Sequence, residues 1–224
     1  TALIHCTNCR QPYPETGTPY RCPTCGGLFD FTHPPAFDPA QVDASQPGIW
    51  RYAHAFGLPE SAPVISLGEG NTPLVWAELD GRQVALKCEF ANPSGSFKDR
   101  GSALIVSFLR ARGVSAAVED SSGNAGASFA AYAARAGLRA RVFVPGSASG
   151  PKRAQIQAYG AELVPIQGPR SHAAEAVRKA ADGGAAYASH AYLPFNLPGY
   201  ATAAYEMVAQ LGKAPGTVFV PAGQ

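Results

Sequence analysis

The chain has 224 residues, of which 46% are hydrophobic and 15% are charged, and its formal net charge is +2 at pH 7. This composition is typical of a globular protein and excludes a disordered chain. The basic residues are scattered and no apolar run approaches the roughly 18 residues of a membrane helix, so we expect neither nucleic-acid nor membrane partners. The first residues do not resemble a signal peptide, and we therefore predict a cytoplasmic protein.

Two C-x2-C pairs lie within the first 30 residues, separated by a stretch rich in proline and glycine: Cys6, Cys9, Cys22 and Cys25. Thiolates paired twice at this spacing are typical ligands of a tetrahedral structural zinc. Two disulfides, which a reducing compartment disfavours, and four free thiols left after metal loss are the alternatives. We predict that residues 1–30 form a zinc-ribbon-like subdomain.

Residues 31–60 are a polar, proline-rich connector, with Trp50 and Tyr52 as expected anchors onto the body of the protein. From Val84 onward, strands and helices alternate. The predicted strands are 84–89, 115–119, 139–144, 162–166, 185–189 and 217–220. The predicted helices are 97–112, 125–136, 152–159, 171–181 and 200–211, each followed by glycine. Repeated units of this kind predict an α/β fold, with a mostly parallel sheet covered by helices on both faces.

Lys98 follows the turn-forming sequence Asn-Pro-Ser-Gly, and Ser96 stands three residues before Asp99 at the spacing of a capping box. This pattern predicts that Lys98 lies in the first turn of a helix. The helix start disfavours a second positive charge, so we expect a lowered pKa for the amine of Lys98. A lysine of this kind can form a Schiff base with an aldehyde. The alternative is a solvated charge on an amphipathic helix.

Further polar candidates precede or open predicted elements. The loop of Ser121, Ser122, Gly123 and Asn124 falls between a strand and a helix start, a position that binds anions readily, although an ordinary turn capped by asparagine is the alternative. Glu69, Asn71 and Thr72 form a polar cluster or a plain turn. Lys152 opens a helix and is otherwise a solvated charge.

Three stretches resemble segments of one family, and their order along the chain agrees with the order in that family. Residues 92–101 (NPSGSFKDRG) resemble the lysine motif of the fold-type II pyridoxal-phosphate (PLP) enzymes, in the form that threonine synthases carry. Residues 68–74 (GEGNTPL) and 121–126 (SSGNAG) are similar to two other segments of the same family. With weaker similarity, the resemblance runs from about residue 48 to the end of the sequence.

The resemblance implies the N-terminal portion of a three-layer, parallel-sheet fold of type II. Residues 31–86 would then hold the connector and the start of a large domain, and residues 87–185 a small α/β domain with Lys98 and the Ser121–Asn124 loop. Residues 186–224 would return to the large domain and end before its phosphate loop.

The same resemblance implies roles for the site residues. Lys98 would carry PLP, and Asn124 would bind the 3′-oxygen of the cofactor. Substrate would be bound by Ser121, Ser122, Gly123, Asn124, Glu69, Asn71, Thr72 and Lys152.

The implied reaction converts O-phosphohomoserine and water to threonine and phosphate in a homodimer, so the partner is a phosphorylated amino acid. Another fold-type II lyase is one alternative, either a serine/threonine dehydratase or a β-replacement enzyme that uses phosphoserine. A truncated, non-catalytic α/β module is the other, with a zinc ribbon that mediates binding.

Overall fold

The computed structural model describes residues 3–147 and 150–221. Its strands are β1 Ile4–Cys6, β2 Phe29–Phe31, β3 Leu74–Leu79, β4 Arg82–Lys87, β5 Ala116–Glu119, β6 Arg139–Pro145, β7 Glu162–Ile166 and β8 Ala186–Tyr187. Its helices are α1 Lys98–Ala111, α2 Asn124–Arg135, α3 Gly150–Ala158, α4 Arg170–Asp182 and α5 Leu197–Leu211. No helix in these ranges has the length and apolar character needed to cross a membrane. Residues 222–224, the last of the segment expected to end before a phosphate loop, lie outside the described residues.

The predicted parallel sheet is confirmed, and it has four strands in the order β7-β6-β5-β8. Successive residues of each strand point to opposite faces of a sheet. Val118 and Phe143 pack on one side against Val177 of α4, whereas Ala117 and Val142 join the larger core that contains α2. Helices therefore cover both faces. Strand β8 begins at Ala186, just beyond the expected domain boundary at residue 185.

The strand predicted at 84–89 is present as β4, but it does not belong to the parallel sheet. Strand β4 pairs antiparallel with β3, which we did not predict, and the two form a separate two-stranded sheet. Asp80 and Gly81 connect them with φ angles of 48° and 71°. An Asp-Gly pair with both φ angles positive is a favoured hairpin turn. This local signal therefore places β4 outside the parallel sheet.

The strand predicted at 217–220 was wrong. Residues 217–220 pair with no strand in the described part of the chain, and Phe219 is 92% exposed. A run of β-branched and aromatic residues favours extended backbone, but a strand also needs a neighbour that accepts its hydrogen bonds. Composition alone cannot supply that neighbour.

The N-terminal hairpin of β1 and β2 packs directly on the α/β body. The ring of Tyr13 makes edge-to-face contacts with Phe29 of β2 at 4.6 Å and with Phe195 at 5.0 Å between centroids. Phe195 stacks in turn on Phe108 of α1 at 3.7 Å. Residues of the hairpin and of α1 consequently belong to one hydrophobic core. Trp50 and Tyr52 are buried in that core, as expected for anchors of the connector.

A fully buried guanidinium, that of Arg100, connects α1 to three other segments. It donates two hydrogen bonds of 2.8 Å to Glu89 and two of 2.8 Å to Glu206 of α5. It also donates to Thr202 at 2.9 Å and to Thr72 at 3.2 Å. Lys87 of β4 completes the network with a 2.7 Å ion pair to Glu206. Two cations thus face two carboxylates, so the buried charges of this network compensate one another.

Close packing fixes α1 against α5. A Cβ atom on Gly101 would lie 2.6 Å from the ring of Tyr200, and one on Gly199 would lie 2.1 Å from the backbone oxygen of Arg100. Only glycine fits at either position, because real Cβ contacts are much longer. The two glycines therefore allow the helices to approach where Arg100 meets Glu206.

We expect Glu206→Gln to lower the free energy of unfolding at pH 7 by about 1.5–3 kcal/mol, since a charged acceptor of buried hydrogen bonds is lost. Burial alone would raise the pKa of Glu206, but hydrogen bonds and charge from Arg100 hold it below the ordinary value of 4.5. Folding thus lowers this pKa, and the stabilisation is complete above about pH 4.5 and is lost as pH falls through the folded-state pKa.

Urea unfolding between pH 3 and pH 7 measures both effects. The variant should lose part of the acid sensitivity of the parent protein. Glu175→Gln, at an exposed position of α4, is the control and should match the parent within about 0.5 kcal/mol. A Glu206→Gln variant with the stability and pH profile of this control would contradict the expected role of the network.

Candidate active site

Lys98 is the first residue of α1, where the sequence placed it, but the cap differs from the predicted one. Ser96 Oγ accepts the backbone N–H of Lys98 at 3.3 Å. The Asp99 carboxylate does not return to Ser96; it accepts the backbone N–H of Ser94 at 2.6 Å and also the Ser94 hydroxyl. The Asn-Pro-Ser-Gly turn brings Ser94 closer to the helix start than the linear spacing suggests. Asp99 therefore fixes the turn onto α1.

The amine of Lys98 is half-buried and has no hydrogen-bond acceptor among residues 3–147 and 150–221. It lies 4.7 Å from the ring centroid of Phe97 and 5.4 Å from that of Tyr200. Burial lowers the pKa of Lys98, and the negative charge of Glu119 partly opposes this shift. The direction agrees with the sequence prediction, but the main cause is burial and not the helix start.

The predicted anion-binding loop follows the carboxyl end of β5, and α2 begins at Asn124. Ser121 Oγ accepts the backbone N–H of Gly123 at 3.2 Å. A Cβ atom on Gly126 would lie 1.9 Å from the carbonyl oxygen of Ser121, so the loop can wind tightly over the helix start only because residue 126 is glycine. The side chain of Asn124 is exposed and has no hydrogen-bond partner in the described residues, so it is not the cap of α2.

The starts of α1 and α2 lie side by side. Ser128 Oγ donates to Asp99 Oδ1 at 2.5 Å and is hydrogen-bonded to Ser102 Oγ at 2.8 Å. Asp99 is the neighbour of Lys98 in sequence, and Ser128 lies one helical turn after Asn124. The structure consequently brings Lys98 and the Ser121–Asn124 loop to adjacent helix starts.

Lys152 stands near the same turn. Its amine donates to Gln155 Oε1 at 2.9 Å, and Gln155 Nε2 donates to the carbonyl oxygen of Ser94 at 2.9 Å. Helix α3 is thereby joined to the segment that carries Lys98.

Glu69 and Thr72 are buried, and other residues of the protein occupy their hydrogen-bonding groups. Glu69 is fully buried and accepts hydrogen bonds from Trp50 at 2.9 Å, Tyr132 at 2.7 Å, the backbone of Leu67 at 2.9 Å and Ser66 at 3.1 Å. Thr72 is 2% exposed and belongs to the Arg100 network. These partners fill the hydrogen-bonding capacity that a substrate would need, so neither residue fits the substrate-binding role expected from sequence.

Asn71 differs from its two neighbours. Its backbone adopts a left-handed conformation, with φ of 50°, and its N–H donates to Glu206 Oε1 at 2.7 Å. Its side chain is exposed. It therefore stays in the proposed substrate-binding set.

Three residues near Lys98 were missed by sequence reasoning: Glu119, His190 and Tyr200. Glu119 is 1% exposed and accepts a 2.6 Å hydrogen bond from His190. With Tyr200, the pair lines a small cavity of about 10 Å³ beneath the start of α2. The Glu119–His190 contact spans 71 residues, and no spacing rule relates two such positions.

The four N-terminal cysteines converge, as their spacing predicted. Their sulfur atoms all lie within 4.8 Å of one another, with Cys6–Cys25 at 3.5 Å and Cys9–Cys22 at 3.6 Å. The residue after each pair, Arg10 or Gly26, has a left-handed conformation, and its N–H donates to the backbone oxygen of the first cysteine of that pair. Two equivalent turns thus present four thiols to one point, which is the donor set of a tetrahedral site.

Backbone groups favour thiolates within this cluster. The N–H of Cys9 lowers the pKa of Cys6. Burial opposes ionisation of Cys22, but the N–H groups of Thr24 and Cys25 bring its pKa to about 6. Thiolates are the form of cysteine that binds metal. Although the N–H of Gln11 lowers the pKa of Cys9, hydrogen bonds with the other cysteines, Cys25 first, raise it to about 12. The cluster thus offers the geometry of a zinc site, and full deprotonation of its thiols would accompany metal binding.

The residues around Lys98 fit an aldehyde-bearing anionic cofactor. The amine has no acceptor to displace within the described residues, its pKa is lowered by burial, and the unpaired N–H groups at the start of α2 lie beside it. These three features suit a lysine that attacks a carbonyl carbon next to a negatively charged group.

Comparisons with known proteins show which family the chain is similar to. Residues 65–224 match the family model described as "Pyridoxal-phosphate dependent enzyme". A threonine synthase of Methanocaldococcus jannaschii is 33% identical over 99% of this chain and 57% of its own length, and one of Halalkalibacterium halodurans is 37% identical over 78% and 51%. The chain thus spans about half the length of these curated relatives.

A solved structure of a threonine deaminase from T.th. is 31% identical, covers 63% of this chain and 46% of its own, and superimposes with a TM-score of 0.56. The region that matches the family model contains the parallel sheet, Lys98 and the loop before α2. The chain therefore belongs to the family of pyridoxal-phosphate dependent enzymes.

Proposed function

We propose that this chain is part of a PLP-dependent threonine synthase, which converts O-phosphohomoserine and water to threonine and phosphate. The observation that carries the proposal is the half-buried amine of Lys98, without an acceptor in the described residues, at a helix start beside the Ser121–Asn124 loop. The names of the curated relatives support the choice of reaction.

In the proposed site, Lys98 would hold PLP through its amine, and Asn124, with its exposed side chain, would bind the 3′-oxygen of the cofactor. The N–H groups and hydroxyls of Ser121, Ser122 and Gly123 would hold the substrate carboxylate at the start of α2. Lys152 and Asn71 would lie toward the phosphate end of the substrate.

When bound, PLP supplies an electron sink for the carbon atoms next to the substrate amine. The task of Lys98 is then to move protons at Cα and Cβ, and for this its amine must gain and lose a proton readily. Phosphate leaves from Cγ and water adds at Cβ, which balances the conversion to threonine. The aromatic rings of Phe97 and Tyr200 keep water away from one side of the amine.

The proposal includes a structural zinc held by Cys6, Cys9, Cys22 and Cys25. Four protein ligands leave no open position, so the metal would stabilise the N-terminal hairpin and take no part in the reaction. A homodimer, a cytoplasmic location and the division into a small and a large domain stay predictions from the sequence.

A threonine dehydratase is the second candidate, because the threonine deaminase structure is similar to this chain in both sequence and fold. Product analysis separates the two reactions. With O-phosphohomoserine we expect release of threonine and phosphate in equal amounts, and with threonine we expect no 2-oxo acid. Formation of the 2-oxo acid from threonine, without turnover of O-phosphohomoserine, would favour the dehydratase.

We expect PLP to attach to Lys98 and to none of the other four lysines, Lys87, Lys152, Lys179 and Lys213. Borohydride reduction followed by peptide mapping should label Lys98. Lys98→Ala should abolish the label and lower threonine formation at least about a thousand-fold, because a covalent partner of the reaction is removed.

Lys213→Ala is the matched control, since Lys213 is exposed at the end of α5 and should leave both readouts unchanged. A label on another lysine would overturn the site. A labelled Lys98 in a protein without threonine formation would retain the site and reject the reaction.

We expect about one zinc per chain in the purified protein. Cys9→Ser should release the metal and lower the free energy of unfolding by about 3–5 kcal/mol, since loss of a structural metal is among the largest single-site effects. Metal analysis and urea unfolding measure the two quantities. Cys88→Ser, outside the cluster, should retain zinc. Full zinc content in Cys9→Ser would rule out the four-sulfur site.

A further inference from the structure

Glu119 is a buried carboxylate that the roles proposed above leave unused. It is the last residue of β5 and lies two residues before Ser121, the first residue of the loop of the proposed site. One carboxylate oxygen accepts the backbone N–H of Ser121, and the other accepts Nδ1–H of His190 at 2.6 Å. An ionised carboxylate only accepts hydrogen bonds, so both neighbours act as donors. Glu119 consequently fixes the loop at its first residue.

His190 is itself held in place. The side chain of Asn196 donates to the carbonyl oxygen of His190 at 2.7 Å, and Asn196 is 1% exposed. The backbone of His190 is therefore held by the segment that leads into α5. The imidazole is 27% exposed, so it forms the outer side of the pair.

Tyr200 connects this pair to Lys98. Its ring lies 5.4 Å from the Lys98 amine and lines the same small cavity as Glu119 and His190. The ring rests on Gly101, where no side chain could fit. Tyr200 is thus a neighbour of both the Lys98 amine and the Glu119–His190 pair.

The other ionisable groups around the pair are engaged elsewhere. Asp99 of α1 is bonded by the hydroxyls of Ser94 and Ser128. Asp120, next to Glu119, is bonded by Tyr187 of β8 at 2.7 Å and by Arg170 of α4 at 2.8 Å. Burial raises the pKa of Tyr200 of α5 and keeps its hydroxyl neutral. Lys152 of α3 is bonded to Gln155.

We infer that Glu119, oriented by His190, is a positioning residue that supplies the counter-charge of the Lys98 amine and anchors the Ser121–Asn124 loop. The inference rests on the proposed function for its purpose but not for its test. The charge of Glu119 opposes the effect of burial on the pKa of the Lys98 amine. The carboxylate would make it easier for the amine to take up a proton during the reaction.

The test is the pH profile of Lys98 acetylation in the protein without cofactor, with acetic anhydride as the probe and mass spectrometry of the Lys98 peptide as the readout. Glu119→Gln should lower the midpoint by about one pH unit, because a nearby opposite charge is lost. Glu119→Asp, which retains the charge, should stay close to the parent protein. Glu175→Gln is the matched control and should not move the midpoint.

A purely structural role would change the limiting rate of acetylation but not its midpoint, so an unchanged midpoint in a folded Glu119→Gln protein overturns the inference. If the Glu119→Gln protein fails to fold, two variants of His190 provide the test instead. His190→Ala should shift the midpoint in the same direction by a smaller amount, and His190→Gln, whose amide can still donate to Glu119, should restore it. A parent-like midpoint in His190→Ala would overturn the inference.

The readout needs neither PLP nor substrate. A shifted midpoint in a protein that does not make threonine would keep the inference and reject the proposed reaction. An unshifted midpoint in a protein that makes threonine from O-phosphohomoserine would reject the inference and keep the proposed reaction.

Discussion

The buried guanidinium of Arg100 is the constraint on which the site depends. A buried cation is tolerated only when anions and hydrogen-bond acceptors surround it, and here Glu89 and Glu206 provide both. Those carboxylates belong to the turn after the β3–β4 hairpin and to α5, so compensation of one charge joins segments far apart in sequence. Lys98 lies two residues before Arg100, and the direction of its side chain follows from how this first turn is held.

Two opposing effects also act on the pKa of the Lys98 amine. Burial favours the neutral amine, which attacks a carbonyl carbon, whereas the charge of Glu119 favours the protonated amine. The two aromatic rings allow both states, because they exclude water and yet attract a cation. A lysine that binds a cofactor and also moves protons needs such a balance.

The N-terminal hairpin illustrates how a very small element is stabilised. Strands β1 and β2 have three residues each, too few to form a core by themselves. They are held from one side by the contact of Tyr13 with Phe29, Phe108 and Phe195. On the other side stand the four sulfur atoms, whose convergence is set by two left-handed turns.

The sequence by itself determined the βα alternation, the five helices, the position of Lys98 at a helix start and the convergence of the cysteines. These features depend on residues that are neighbours or lie a few positions apart, where periodicity, turn residues and ligand spacing act directly. Only the tertiary structure decided that Glu69 and Thr72 are buried, that residues 217–220 pair with no strand in the described part of the chain, and that Glu119 meets His190. Burial and long-range pairing depend on which segments meet in space, and no local pattern records that.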